Sequence, residues 1–272
     1  MEAGAGRSDH IARALNGGWP RLRAGFVKYS PVLILCAIWQ VLSLSGLVHK
    51  DLLPSFIEVV GAWFRLLLSG DLIVHSASSL WREATGFSLS VLFGTTTGIA
   101  MARYRPFREF FQPLISLLFP VPKSALIPIL IVWLGIGHMS KIAVIFLACI
   151  LPITVSSFNG ARGADKFLIW SALNLGTSQG RLLWKVIIPS ALPDMMSGIR
   201  LALAVSFVLL VSSEMLAGNS GIGFLIFYLG EGGDYSGMFA AIITLTLMGF
   251  LADRLYLKVM RRALVWHYSP EV

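Results

Sequence analysis

The chain has 272 residues, of which 56% are hydrophobic and only 13% are charged, and its mean hydropathy is +0.76. Soluble domains carry about 25% charged residues, so a soluble protein of this length would lack polar side chains for its surface. The composition therefore argues against a soluble helical protein and favours an integral membrane protein. The formal net charge of +8 would suit nucleic-acid binding, but the positions of the charges indicate a membrane topology instead.

Six segments are apolar over the length, or nearly the length, that a helix needs to cross the hydrocarbon core, about 20 residues. They predict an all-α, polytopic membrane fold with six transmembrane helices. The predicted spans are Pro31–Val48, Thr85–Ala102, Gln112–Leu134, Ile142–Phe158, Met195–Leu216 and Gly237–Leu257.

Between the first two spans, an external stretch is predicted over His49–Ala84. Within it, Pro54–Leu68 places apolar side chains at helical spacing, which predicts an amphipathic helix at the outer interface or against the bundle. Ser-Gly-Asp at 69–71 is predicted to end this helix. In the second span, Gly94 and Gly98 form a small-xxx-small motif that permits close helix approach, although it is weak as an indication of a dimer seam.

The third span contains Pro120, Pro122 and Pro128, and we predict that it is kinked or broken. Irregular backbone is tolerated within a membrane where it is buried in protein or lines a wet cavity. Lys123 lies among these prolines, where carbonyl groups freed from helical bonding could solvate its ammonium group.

Lys123 and Glu214 are the predicted pathway candidates, because an ionisable side chain near the bilayer centre costs about 2.5–3.5 kcal/mol and usually faces protein or water. A cationic lining would suit an anionic substrate, but a structural Lys–Glu pair is an equal alternative, and Glu214 could also reach the outer interface. Two further charges have expected positions. Arg200 is expected to extend to the cytoplasm, and Asp253 to pair with Arg254 or Lys258 on its own helix.

The basic residues orient the predicted spans. If the N-terminus is cytoplasmic, the inner side receives all of the 22 Lys and Arg residues except Lys50, Arg65, Arg82, Lys123 and Lys141. Because cytoplasmic loops carry the excess of positive charge, both termini are predicted to lie inside. The first apolar run is expected to be a retained span and not a cleaved signal peptide.

The large internal connection, Asn159–Asp194, is predicted to form a helical hairpin. Its first helix spans Asp165–Asn174, with Gly176 as a helix stop. Thr177 or Ser178 would cap a second helix, Gln179–Ile188, that ends at Pro189, and Ser190 would cap the fifth span. An apolar hairpin on the water side needs a partner surface to cover it, or else packs back onto its own bundle.

No catalytic residue, metal site or bound cofactor is predicted. The five histidines are scattered, and Cys36 and Cys149 lie in apolar spans as small hydrophobic residues. The sequence has no GxxxxGK[ST] loop to hold nucleotide phosphates, so the energy for transport would come from a partner. A secondary transporter is disfavoured, because no second proline-broken span indicates an internal repeat.

The hairpin sequence resembles the cytoplasmic loop of permease subunits in binding-protein-dependent ABC importers. That family pattern is Glu-Ala-Ala, three residues, Gly, nine residues, Ile-x-Leu-Pro, and the matching stretch here is WSALNLGTSQGRLLWKVIIPSALP, residues 170–193. Gly176 takes the glycine position and Pro189 the proline position. Val186 and Ile188 take the aliphatic positions, and Ala172 the second alanine. The match departs from the pattern at Trp170, where the family has Glu, and at Ser171, where it has Ala.

Four further stretches are similar to the sulfonate, taurine and nitrate branch of this family, and importers of pyrimidine precursors look similar too. They are HSASSLWREATGFSLS (75–90), PVPKSALIPILIVWLGIG (120–137), LPDMMSGIRLALAVS (192–206) and EMLAGNSGIGFLI (214–226). The resemblance implies a type I importer permease fold, a homodimeric pore in the bacterial inner membrane, two cytoplasmic ATPase subunits that bind ATP, and an external substrate-binding protein. It implies no nucleic-acid partner.

The resemblance also assigns parts of the chain. Residues 1–30 would be a cytoplasmic segment, 31–74 the first span with the external amphipathic segment, 75–258 the core permease domain with the coupling loop 159–194, and 259–272 a cytoplasmic tail. The substrate is expected to be a sulfonate, taurine or nitrate, with a pyrimidine or thiamine precursor or an aromatic acid as the alternative. The ATPase-coupling residues it implies are Asp165, Trp170, Ser171, Ala172, Leu173, Gly176, Ile188 and Pro189.

Overall fold

The computed structural model describes residues 30–47 and 52–266, which are mostly helical and contain no strand. The helices are α1 (Ser30–Leu44), α2 (Phe56–Leu68), α3 (Asp71–Arg103), α4 (Arg105–Leu118), α5 (Ile127–Leu134), α6 (His138–Arg162), α7 (Lys166–Asn174), α8 (Gln179–Leu182), α9 (Ile188–Ala217), α10 (Ile222–Glu231) and α11 (Tyr235–Ala263). A 3-10 turn over Lys123–Leu126 precedes α5, and a π-helical turn over Leu183–Ile187 joins α8 to α9. The described chain divides into two units, up to Ala62 and from Trp63 onward.

In the first unit, side chains of α1 bond to the segment that begins α2. The backbone N–H of Phe56 donates to Gln40 Oε1 at 2.9 Å, and the Trp39 indole donates to the Pro54 carbonyl at 3.0 Å. Ser55 and Glu58 form a reciprocal capping box, in which each side chain accepts from the other residue's backbone N–H. The amphipathic helix predicted over Pro54–Leu68 is thus present, and it begins at Phe56.

Helix α3 begins 14 residues earlier than the predicted second span, so the start predicted at Thr85 is wrong. The segment between Asp71 and Thr85 is polar enough to resemble an external loop. Its charged residues Arg82 and Glu83 are nevertheless buried inside the protein, where they are paired or hydrogen-bonded. Buried charges are tolerated when partners replace their water, so the helix continues through this polar stretch.

A row of glycines brings α3 against α6. A Cβ added at Gly86 would lie 2.8 Å from Ile145 Cβ, and one added at Gly94 would lie 2.8 Å from Ile153 Cγ2. At Gly98 a Cβ would meet the backbone of Thr154 and, at 2.7 Å, the Ser157 Cβ. Small residues allow helix backbones to approach closely, and the Gly94-xxx-Gly98 motif serves this seam within the chain.

Helices α5, α6 and α9 enclose the main apolar cluster. Its buried members are Ile127, Leu130, Val144, Ile145, Ala148, Cys149, Ile153, Ile199, Ala202, Leu209 and Leu210. The Cys149 thiol donates to the Ala202 carbonyl at 3.4 Å, which agrees with its predicted role as a small buried hydrophobic residue.

The third predicted span is broken, as its prolines indicate. Helices α4 and α5, the latter with its preceding 3-10 turn, meet at an angle of 92°. Pro120 and Pro122 lie in the break, where neither must supply a helical N–H donor.

By length and composition, four helical segments can cross a membrane: Asp71–Arg103, His138–Arg162, Gln179–Ala217 and Tyr235–Ala263. The bent pair α4–α5 makes a fifth crossing if it counts as one span. The first predicted span corresponds to the shorter apolar helix α1, and its last residue, Val48, lies outside the described residues. The all-α, polytopic fold is therefore confirmed, whereas the count of six spans is not.

Candidate functional site

The hairpin between α6 and α9 begins with a capped helix. Asp165 lies at the N-cap of α7, where its carboxylate accepts from the Phe167 backbone N–H at 2.8 Å. A carboxylate at this position satisfies an unpaired N–H and interacts favourably with the helix dipole. The prediction placed Asp165 in the first helical turn, and the structure places it one position before the helix begins.

Gly176 ends α7 as predicted. It has a φ of +77°, in the left-handed region that favours glycine. The Thr177 N–H donates to the Ala172 carbonyl at 3.0 Å and the Gly176 N–H donates to the Leu173 carbonyl at 2.9 Å. This pair of bonds is a Schellman motif, which satisfies the last carbonyls of the helix and turns the chain.

Helix α7 presents apolar side chains without burying any of its residues. Phe167 is 73% exposed and Trp170 58%, and the ring of one packs edge-on against the ring of the other. Leu168 and Leu173 are exposed as well. Of the two alternatives left open by the sequence, the first arm of the hairpin does not pack back onto the described part of the bundle, and none of the residues that the structure describes covers its apolar face.

The second arm differs from the prediction. It does not end at Pro189, because α8, the π-helical turn and α9 form one continuous segment over Gln179–Ala217. The Ile188 N–H donates to the Leu183 carbonyl across the wide turn, so the proline that follows enters α9 in its first turn. Ser190 is likewise not a cap, since its hydroxyl donates back to the Val186 carbonyl at 2.7 Å.

The coupling-pattern residues at the two ends of the hairpin lie on different arms. Trp170, Ser171, Ala172 and Leu173 are on α7, and Ile188 and Pro189 begin α9. Between the arms is a groove of about 420 Å³, which is lined by Leu168, Lys185, Val186, Pro189, Ser190, Pro193 and Trp266. The sequence analysis did not single out Trp266. No local sequence pattern links Trp266 to the hairpin, which lies much earlier in the sequence.

Glu214 lies in a fully buried ion pair. Its carboxylate accepts from Arg82 Nη1 at 2.6 Å, from the Ser79 hydroxyl and from the Gly223 backbone N–H. The partner is Arg82 of α3, so the alternative of a Lys123–Glu214 pair is wrong. Glu214 also does not extend to the interface, because its side chain is completely buried.

Other polar groups extend this cluster to the loop before α10 and to the start of α6. Arg82 donates further to Ser220 and to His138 Nδ1, and the Gly221 N–H donates to His75 Nδ1. Lys141 is buried nearby and donates to the carbonyls of Ile136 and Ala217, both at 2.6 Å. Sequence analysis missed Ser79 and Arg82, although their spacing places both on the face of α3 that meets Glu214.

Lys123 caps the break between α4 and α5. Its ammonium group donates to the carbonyls of Leu118, Phe119 and Val121 at 2.7–2.9 Å, which confirms the expectation that freed carbonyls solvate it. Lys123 also lines a cavity of about 280 Å³. The other lining residues are Thr97, Phe111, Leu114, Ile115, Leu118, Val121, Leu126, Leu147, Ile150, Leu151 and Thr154.

The expected partner of Asp253, Arg254 or Lys258 on its own helix, is wrong. Arg200 of α9 forms a bidentate pair with Asp253 of α11, with N···O distances of 2.7 and 3.1 Å. The planar guanidinium matches a carboxylate in this fork geometry.

Within the described residues, no three His, Cys, Asp or Glu side chains form a group that could hold a metal ion.

Comparison with known proteins identifies the family. The family described as "Binding-protein-dependent transport system inner membrane component" matches residues 91–265. The taurine transport system permease protein TauC of Escherichia coli (strain K12) is 31% identical over 261 residues, covering 94% of this chain and 95% of TauC. The putative aliphatic sulfonates transport permease protein SsuC of Bacillus subtilis (strain 168) is 34% identical over 253 residues, covering 92% of this chain and 91% of SsuC.

A solved structure supports the fold. A chain of the MetNI methionine ABC transporter in an inward-facing conformation superposes with a TM-score of 0.62, covering 72% of this chain and 97% of that chain at 16% identity. Because the family match spans more than half of the sequence and two permeases are more than 30% identical over nearly the full length, the chain belongs to the family of binding-protein-dependent transport system inner membrane components, as a multi-pass ABC importer permease.

Proposed function

We propose that this permease forms the translocation pathway for a small anionic solute, an aliphatic sulfonate, taurine or nitrate, and that a separate ATPase subunit drives it through the 159–194 loop. The observation that carries the coupling proposal is the uncovered apolar face of α7, held in place by the Asp165 cap and the Gly176 turn. The permeases TauC and SsuC, whose names specify taurine and aliphatic sulfonates, support the choice of substrate class.

The coupling role is inferred from the apolar face of α7, which none of the described residues covers. Exposed aromatic side chains on a hairpin outside the membrane core are stabilised when a partner covers them. Trp170 stands where the family pattern has Glu, so this contact would be apolar where a relative has a charge. To move a transporter from 99:1 inward-facing to 99:1 outward-facing requires about 5.5 kcal/mol of differential binding, which closure of ATPase subunits around nucleotide can supply.

The cavity at the broken span suits the proposed substrate class. Its walls are mostly leucine and isoleucine side chains, which match a short alkyl group, and its one charged lining residue is Lys123. The three N–H donors of Lys123 are bonded to carbonyls, but its positive charge still attracts an anion, and does so more strongly in a cavity with apolar walls than in water. Lys123 is the pathway candidate that we retain because it lines this cavity, whereas Glu214 is neutralised by its buried pair with Arg82, which favours a structural role for that residue.

The assembly that we propose has both termini in the cytoplasm of a bacterial inner membrane and contains two copies of this permease. Two ATPase subunits would contact the hairpin and bind the ATP, and an external binding protein would select the solute first. The excess of basic residues on the hairpin side supports this orientation.

A second candidate substrate is a pyrimidine or thiamine precursor. The formylaminopyrimidine transport permease protein ThiX of Halalkalibacterium halodurans is 28% identical over 234 residues, covering 86% of this chain. Its identity is lower than that of TauC and SsuC, so we place this substrate class second.

Reconstitution in proteoliposomes tests the proposal. With its cognate ATPase and binding protein, the permease is expected to import labelled alkanesulfonate, taurine or nitrate only in the presence of ATP, and Lys123→Gln is expected to lower the rate. The same assay with a formylaminopyrimidine tests the second class. Transport by the permease alone, without an ATPase, would contradict the proposed coupling.

A further inference from the structure

The C-terminal end of α11 carries a groove of about 340 Å³ that is lined by four cations and two apolar residues. The lining residues are Arg254, Leu257, Lys258, Arg261, Arg262 and Val265, with no acidic residue among them. All four basic side chains are exposed. A groove with this composition is electrostatically complementary to an anion.

The four cations occupy one face of the helix, because positions 254, 258, 261 and 262 follow the spacing of successive turns. Like charges at this spacing repel one another and destabilise an isolated helix. In the described part of the chain, none of the four lies within 4.0 Å of a carboxylate. The adjacent acid, Asp253, accepts two hydrogen bonds from Arg200 instead. The repulsion between the cations would be relieved by an anion bound in the groove.

An exposed apolar strip runs along α11 toward this groove. Its members Leu251, Leu255 and Val259 follow i, i+4 spacing and are each at least 50% exposed, and α11 is one of the helices long and apolar enough to span a membrane. The Arg254 guanidinium lies over the exposed Phe250 ring, 4.8 Å from its centroid, so an apolar surface also lies directly beside a cation of the groove. A phospholipid has the same division, with acyl chains beside a charged headgroup.

The position of the groove relative to the hairpin indicates which membrane leaflet the groove faces. Trp266, which follows α11, lines the groove between the hairpin arms together with Leu168 and Pro189. The basic groove therefore lies at the hairpin end of the molecule. In the proposed orientation this end faces the cytoplasm, where the leaflet surface is negative and attracts polybasic segments.

We propose that the groove at Arg254–Val265 binds the phosphate headgroup of an anionic phospholipid in the cytoplasmic leaflet, with the acyl chains along the exposed strip of α11. The lipid holds the end of α11 beside the hairpin. This site is separate from the translocation pathway and does not depend on which solute is carried.

The test measures lipid selectivity of the purified full-length chain in phosphatidylcholine nanodiscs that contain spin-labelled phosphatidylglycerol or spin-labelled phosphatidylcholine. The wild-type chain is expected to immobilise phosphatidylglycerol preferentially. Arg261→Gln/Arg262→Gln is expected to reduce this preference by about fivefold for each charge removed, as for cations near an anionic surface. Arg261→Lys/Arg262→Lys retains the charge and is expected to keep most of the preference.

The matched control is Lys166→Gln/Arg181→Gln, which removes two exposed charges from the hairpin end but outside the groove. An equal loss of selectivity in this control would overturn the proposal, because the effect would then be one of net charge. Displacement of labelled lipid by inorganic phosphate at low concentration would also overturn it, since the groove would bind free phosphate. If Arg261→Gln/Arg262→Gln lost its association with the ATPase but kept its lipid selectivity, the groove would be assigned to an acidic protein surface and the proposal would be overturned.

Discussion

Arg82 and Glu214 show how this chain keeps charges within a membrane-embedded core. Removing two charges from water costs several kcal/mol for each ion, and their attraction repays this only when other hydrogen bonds complete the geometry. Here the Ser79 hydroxyl and the Gly223 N–H donate further hydrogen bonds to the carboxylate, and Ser220 and His138 accept hydrogen bonds from the guanidinium. The pair thereby connects α3, α9 and the start of α10.

Removing one partner of this pair is expected to be costly. Arg82→Met leaves the Glu214 carboxylate buried without its counter-charge, so the free energy of unfolding should fall by about 3–5 kcal/mol. Titration of the purified chain with SDS in mixed micelles measures this loss.

The control for this substitution is Arg105→Met, which breaks an exposed pair with Glu109 at the same N···O distance of 2.6 Å. An exposed pair at this helical spacing contributes only about 0.5 kcal/mol or less. Similar losses in the two variants would show that the buried cluster has no special role in stability.

Among the elements, the hairpin depends most on a single backbone conformation. The Gly176 turn reverses the chain between an exposed apolar helix and a segment that continues into α9. In contrast, α8 packs against its own bundle through the buried Leu182, and Gln179 accepts from Arg103 at 3.2 Å. One arm is therefore anchored while the other remains available to a partner.

Gly176→Val is expected to weaken binding of the ATPase subunit about tenfold. The left-handed conformation costs an L-residue about 1–2 kcal/mol, so the turn should relax and displace α7. The affinity of the purified permease for its ATPase subunit measures the effect.

Gly180→Ala is the matched control for the turn. Gly180 lies in helical conformation in α8, and an added Cβ would have no other atom within 4 Å. Its ATPase affinity should equal that of the wild type. If Gly176→Val bound equally well, the left-handed turn would not be needed for coupling.

For the whole molecule, the orientation in the bilayer determines which surfaces meet which partners. The hairpin and the basic end of α11 lie at the same end of the molecule, because Trp266, which follows α11, lines the groove between the hairpin arms. The charge distribution favours the cytoplasm for this end.

Introduced cysteines report this orientation. In a Cys36→Ala background, where the remaining native Cys149 is buried, Ser178→Cys in the hairpin and Glu231→Cys at the end of α10 both place an exposed thiol. A membrane-impermeant maleimide added to intact spheroplasts should label position 231 but not 178, and inverted vesicles should give the opposite result. Labelling of position 178 in intact spheroplasts would contradict the proposed topology.

Local patterns in the sequence were sufficient for the features that depend on neighbouring residues. Hydropathy located the apolar segments, the prolines indicated the broken span, and the helical pattern of Asp165–Asn174 followed by Gly176 indicated the first arm of the hairpin and its glycine turn. Each of these features depends on helical period, backbone restriction or composition within a short window, which the sequence states directly.

Tertiary structure alone decided which charges pair and where polar helices end. Glu214 pairs with Arg82, which is 132 residues away in the sequence, and Arg200 of α9 pairs with Asp253 of α11. The same pairing lets α3 begin at Asp71, in a stretch that hydropathy assigns to solvent. Hydropathy averaged over a short stretch of sequence counts each charge at its full cost of burial. The partner that offsets this cost is determined only when the helices pack.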